Sequence, residues 1–225
     1  ALRRKVYNEL EDLKGAIRVF CRMRPESSAE KERGAKMCVT LEGGSGAADA
    51  DDQEDCVALQ IMVKGNLKKF EFDRVFGPAN TQEDVFADTK RLVQSAVDGF
   101  NVCIFAYGQT GAGKSFTMIG AEGEDTPPEL KGLTPRAVDE IWAIKDRAEG
   151  KYTVDVELSM FELYQDELQD LLRDKGAKPV ELEVKLTKAN KVEIEGGKII
   201  PIASADDLLE KWKFAINRRH TRATK

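Results

Sequence analysis

The sequence predicts an α/β fold, with a mixed central sheet, helices on both faces and a phosphate loop. Three observations carry this expectation. The apolar run Val102–Tyr107 has strand length and character, and breaks directly into the glycine-rich turn GQTGAGKS at 108–115. Strand-like and helix-like stretches alternate along the chain with no internal repeat. At 225 residues the chain can bury one good core, as a large domain or a domain with an appendage.

Composition narrows the function classes. Lys and Arg number 35 against 40 Asp and Glu, a net charge of −5, which argues against a general nucleic-acid binder. The 4 cysteines (Cys21, Cys38, Cys56, Cys103) show neither a C-x-x-C pair nor metal spacing. Cys21 and Cys103 lie in apolar runs and are expected as buried free thiols in a reducing, cytoplasmic setting. No apolar run approaches the roughly 18 residues of a membrane span, and no signal sequence is expected.

In chain order, Ala1–Lys14 reads as a helix with Leu2, Val6, Leu10 and Leu13 on one stripe. It packs on its own domain or ends a coiled coil; both readings stay open. Gly15 stops it, and Ile17–Met23 alternates as a strand until Pro25. Arg22, Arg24 and Pro25 form a basic corner that alone is more often a solvated strand end than a site. Glu26–Asp55, with Gly43, Gly44 and Gly46, reads as a surface loop. Val57–Val63 and Lys69–Phe72 read as strands, with Asn66 near their turn.

Thr81 is the expected cap of a helix with Glu83 and Asp84 in its first turn and an apolar stripe from Val85 to Val97. A short helix follows the phosphate loop, and Gly120–Gly132 is an acidic loop broken by Pro127 and Pro128. Thr134 then caps a helix with Pro135 at its first position, and Trp142 is read as core. Tyr152–Tyr164 is expected as a central strand and Gln165–Leu172 as a short helical turn. Val180–Leu186 and Lys191–Glu195 read as a hairpin with Asn190 near its tip. Ser204 caps a final helix carrying Leu208, Leu209, Trp212 and Ile216. The basic end, Asn217–Lys225, includes His220, read as exposed rather than catalytic.

Gly108, Gly113, Lys114 and Ser115 satisfy the phosphate-loop pattern directly after a strand-like run. Glycines at 108, 111 and 113 let the backbone curl. Amides from Gly108 to Ser115, including those of Gln109, Thr110 and Ala112, then point at a phosphate chain. Lys114 would reach the β- and γ-phosphates, and the Ser115 hydroxyl would ligate Mg²⁺. The bland alternative, a glycine-rich turn that binds nothing, does not explain Lys and Ser at these two positions. Hydrolysis also needs a carboxylate at the end of a second apolar strand and a group to place water. Asp155 and Glu162 fall inside an alternating run, so no catalytic residue is expected within this chain.

Five stretches, in order and spacing, resemble the kinesin motor head. They are KGAIRVFCRMRP (14–25), FDRVFGP (72–78), FAYGQTGAGKSFTM (105–118), GLTPRA (132–137) and ELYQDELQDLL (162–172). A helix leading into the first resembles the neck of C-terminal, minus-end-directed kinesins. VQSAVDGFNVCIFAYGQTG and NRRHTRAT look most like the calmodulin-binding members of that group in plants and green algae.

The resemblance implies a phosphate-loop NTPase fold, with residues 1–14 as neck helix and 15–225 as the front part of the head. The chain would stop just before the first switch, N-x-x-S-S-R-S-H, leaving the fold incomplete at its C-terminal end and this piece without turnover. Exposed sheet edges would then make the isolated chain poorly soluble. The resemblance also places Arg22, Arg24 and Pro25 beside the adenine, with Phe116 offering an apolar face to it.

Implied cofactors are ATP and Mg²⁺. Implied partners are the microtubule, a second copy through an upstream coiled coil, and calmodulin through a C-terminal tail. The implied location is the microtubule cytoskeleton of the cytoplasm or a cilium. Glu167 stands where several relatives place a lysine facing the microtubule, so weaker attraction to acidic tubulin is expected. The other readings are a catalytically silent, motor-like subunit of a microtubule assembly and an unrelated phosphate-loop NTPase.

Overall fold

A computed structural model describes residues 17–35, 37–42, 57–121, 126–148, 150–151, 153–174, 180–187 and 192–219. The chain divides into two compact units, residues 1–134 and 135–225.

In the first unit, β1 (Phe20–Arg22) pairs in parallel with β5 (Arg74–Phe76), setting Cys21 opposite Val75. Between them in sequence run α1 (Ser28–Glu32) and a three-stranded antiparallel sheet. That sheet has the order β2 (Val39–Leu41), β3 (Ala58–Val63), β4 (Asn66–Glu71). The turn between β3 and β4 falls at Lys64 and Gly65, both with positive φ, beside the expected Asn66. Leu59 and Val75 form a small core with Cys21, Val39, Leu41, Ile61 and Phe72 packed around them.

Helix α2 (Gln82–Val97) begins where expected. The Thr81 hydroxyl accepts from the Asp84 amide, and the Asp84 carboxylate accepts from the Thr81 amide. Its inner face brings Val85 against Phe76 and Leu133, with Phe20, Phe86 and Met118 at the margin. The Phe20 and Phe76 rings meet edge to face, their centroids 6.1 Å apart. This cluster seats α3 (Lys114–Met118), the short helix after the phosphate loop.

Helix α4 (Leu133–Ala148) leads into the second unit. There β6 (Val156–Leu158) pairs antiparallel with β11 (Ile200–Ile202). β7 (Phe161–Tyr164) with β8 (Glu167–Asp170), and β9 (Glu183–Leu186) with β10 (Val192–Glu195), form hairpins. α5 (Ala205–Ile216) is capped by the Ser204 hydroxyl, which accepts from the Asp207 amide. Leu171, Leu172 and Ala215 form the unit's core, and the Arg218 guanidinium donates to the Leu171 carbonyl at 3.1 Å.

Among the described residues the strands pair as five small sheets. Several local expectations are corrected. The run 152–164 breaks between β6 and β7, and Gln165–Leu172 turns back as β8 instead of forming a helical turn. Gln165 and Asp166 both take positive φ, the geometry of a two-residue hairpin turn. Helix α4 starts at Leu133, so Thr134 is not its cap. Pro135 lies within the first turn, where a missing N–H costs no helical bond.

The loop expected over 26–55 contains α1, whose Ser27–Glu30 capping box overrides its polar composition, and β2. Cys103 is exposed and Cys21 half-buried; neither is the buried thiol expected. Trp142 is half-buried, with the Lys145 ammonium 6.0 Å from its ring centroid. The neck helix Ala1–Lys14, Gly15, the glycines at 43, 44 and 46, Cys56, Asn190 and the segment 220–225 lie outside the described residues. No described helix is long and apolar enough to cross a membrane.

Candidate functional site

The phosphate-loop residues stand together at the start of α3. Gly113 holds the N-cap position with φ of 93°, a left-handed conformation that disfavours any residue with a Cβ. At Gly108 a Cβ would come within 3.1 Å of the Ala112 Cβ, so the loop closes tightly across its mouth. The Ala112 amide donates to the Gln109 carbonyl at 3.1 Å, turning the chain through Thr110 and Gly111.

Lys114 reaches back across this turn. Its ammonium donates to the Gly108 carbonyl at 2.7 Å and the Gln109 carbonyl at 2.8 Å. Those bonds hold a cation over the loop, where a phosphate oxygen can replace a carbonyl as acceptor. Ser115 is exposed at the second position of α3, so its hydroxyl is open to a ligand. Curled amides, a cation over them and an adjacent exposed hydroxyl fit a polyphosphate with its metal. Among the described residues, no three or more His, Cys, Asp or Glu side chains cluster as metal ligands.

The basic corner stands beside this loop. Arg22, Arg24, Pro25, Gly113 and Phe116 line a hollow of about 40 Å³. The Arg22 guanidinium carbon lies 5.4 Å from the Phe116 ring centroid, a cation–π contact. Arg22 also donates to the Gln82 amide oxygen at 2.8 Å and the Thr117 hydroxyl at 3.0 Å. Burial pushes this guanidinium below its ordinary pKa, against the opposing pull of the Asp84 carboxylate. Arg24 points elsewhere: both its terminal nitrogens donate to the Glu30 carboxylate of α1, one at 2.6 Å.

Asn101–Gly108, the approach to the loop, departs most from expectation. Phe105 is 81% exposed and Tyr107 is 90% exposed, and no strand pairs with the segment among the described residues. Their rings stack with centroids 6.5 Å apart. Without a ladder partner the segment is not a strand. A cavity of about 500 Å³ separates it from Phe20, Phe76 and the Val85–Thr89 face of α2.

Sequence reasoning missed Gln82 and Thr117, which tie Arg22 to the helix after the loop. A polar first residue in a surface helix carries no local signature of such a role. Gly120 and Gly132 are closely apposed: a Cβ at Gly120 would sit 2.3 Å from the Leu130 carbonyl oxygen. Glu167 is exposed beside the turn between β7 and β8.

Known proteins match this chain over most of its length. The family described as "Kinesin motor domain" matches residues 22–225. Kinesin-like protein KIN-14I of Oryza sativa subsp. japonica is 42% identical over 99% of this chain and 16% of its own length. Kinesin-like protein KIN-14E of Arabidopsis thaliana is 41% identical, with the same shares covered. The solved structure of a fast kinesin superposes with a TM-score of 0.76 at 31% identity, covering 89% of this chain and 52% of that one. The motor domain of the Kar3-like kinesin from Ashbya gossypii gives 0.71 at 28% identity, covering 88% and 58%. The chain thus spans a small part of the plant relatives and about half of each solved chain.

Proposed function

Because the chain belongs to the kinesin motor-domain family, we propose that it is the nucleotide-holding front part of a microtubule-stimulated ATPase motor. The observation that carries this reading is the Lys114 ammonium, poised on the Gly108 and Gln109 carbonyls over the loop. Lys114 would exchange those carbonyls for phosphate oxygens and neutralise charge on the outer phosphates of a bound triphosphate. The backbone amides of residues 108–115 would orient the phosphate chain, and the Ser115 hydroxyl would be one ligand to Mg²⁺. Bound Mg²⁺ draws charge from the phosphate oxygens. Arg22, Pro25 and Phe116 offer planar and apolar surfaces to the base. Arg24 joins that wall only by giving up Glu30.

The parent protein is assigned to microtubules and the cytoskeleton through its family. The KIN-14 relatives and the Kar3-like neighbour support membership of the minus-end-directed class. Pairing of two copies through an upstream coiled coil, and calmodulin binding through a tail, rest on the resemblance of the neck and of the stretches at 93–111 and 217–224.

The test is phosphate release by the parent motor, with and without microtubules, using Lys114→Ala as the blank. The reading expects release that microtubules accelerate and that Lys114→Ala reduces by about 100-fold or more, as loss of a catalytic phosphate contact does. Acceleration undiminished in Lys114→Ala would refute the site.

A further inference from the structure

A buried amide behind the candidate site has no part in the binding scheme above. Gln82 is 2% exposed and opens α2, yet it faces inward. Its oxygen accepts from Arg22 at 2.8 Å, and its nitrogen donates to the Phe116 carbonyl at 2.7 Å. The Phe116 carbonyl also accepts from the Gly120 amide at 2.9 Å, so it is the last-turn acceptor of α3 with one further donor added. One side chain therefore joins the end of β1, the start of α2 and the helix after the phosphate loop.

We infer that Gln82 is a positioning residue for base binding, by holding the Arg22 guanidinium over the Phe116 ring as one rigid wall of the base hollow. The inference deepens the nucleotide reading and rests on it. The amide suits the task because it has one acceptor and one donor end, each with a single fixed partner here. Arg22 carries a long side chain, and ordering it before a ligand arrives removes an entropic cost from binding. The Thr117 hydroxyl supplies a second acceptor to the same nitrogen of Arg22 at 3.0 Å, which fixes the guanidinium on α3 as well as α2. None of these contacts touches the amides of residues 108–112 or the Lys114 ammonium. Loss of Gln82 should therefore weaken the grip on a base and spare the grip on phosphates.

The experiment measures binding of ATP and of inorganic tripolyphosphate, each with Mg²⁺, to the complete motor head by calorimetry. The variants are Gln82→Leu, which loses both contacts, and Gln82→Asn, which keeps the amide but is one methylene too short to reach Arg22 and Phe116 together. Gln82→Leu should lose about tenfold in ATP affinity, the scale of one charge-assisted hydrogen bond, with tripolyphosphate unchanged. Gln82→Asn should show the same selective loss, and it decides the matter if the leucine variant fails to fold. In a folded variant, equal loss for both ligands, or an unchanged ATP affinity, would overturn the inference. Wild-type protein that binds neither ligand would instead refute the nucleotide reading itself.

Discussion

The phosphate loop joins two regions that are held very differently. On its C-terminal side, α3 is fastened by Gln82, Arg22 and Thr117 and rests on the Phe76–Val85–Leu133 cluster. On its N-terminal side, Asn101–Gly108 is mostly exposed, with no strand paired to it among the described residues. The approach segment carries more apolar residues than α3, so hydrophobicity alone does not decide which is fixed. The difference lies in partners: α3 meets side chains from β1 and α2, whereas the Phe105 and Tyr107 rings of the approach segment stack on each other.

The contrast breaks most visibly in the core. Phe76→Ala should destabilise the protein by about 3–5 kcal/mol, because a fully buried ring leaves a cavity. Phe105→Ser, at an exposed position, should cost within about 0.5 kcal/mol. Chemical denaturation of the two variants compares them; equal losses would show that the approach segment is packed in solution.

A smaller effect is expected at the exit of α3. Gly120 has φ of 103° and a Leu130 carbonyl where a Cβ would stand, so Gly120→Ala should cost more than about 1 kcal/mol. Thermal unfolding checks this, and an unchanged midpoint would mean that the close approach of Gly120 and Gly132 is not maintained.

The smallest effect concerns the basic corner. Hydrogen bonds from Arg24, and next from the Ser27 amide, hold the Glu30 carboxyl well down, from 4.5 to about 2. A depressed carboxylate contributes above its unfolded value, so the tie of α1 to Arg24 persists above pH 4.5 and loosens as pH falls toward 2. An NMR titration of Glu30 should show this low midpoint, and Arg24→Ala should raise it. A midpoint unmoved in Arg24→Ala would show that Arg24 is free for another partner.

What was legible in the sequence was local. The phosphate loop reads directly because its chemistry needs Gly113, Lys114 and Ser115 in succession. The caps at Thr81 and Ser204 read directly because each bonds to a residue three positions on. Strand partnership did not read, since period-two alternation marks a strand without naming its neighbour. Hence alternation alone reads 152–164 as one strand and conceals the hairpin turn at Gln165–Asp166. The expected burial of Cys103 fails for the same reason. At Ser27–Glu30 the signal was present, but the glycine-rich, acidic composition farther along the tract outweighed it. In the site, Arg22 was named, but the residue that places it, Gln82, is 60 positions away and carries no motif.

The most direct test of the central claim is equilibrium binding of ATP to this chain and to its Lys114→Ala variant. Saturable binding by the wild type, lost in the variant with both proteins folded by circular dichroism, is the predicted result. Tight ATP binding by folded Lys114→Ala would contradict the assignment of residues 108–115 as the phosphate-holding loop.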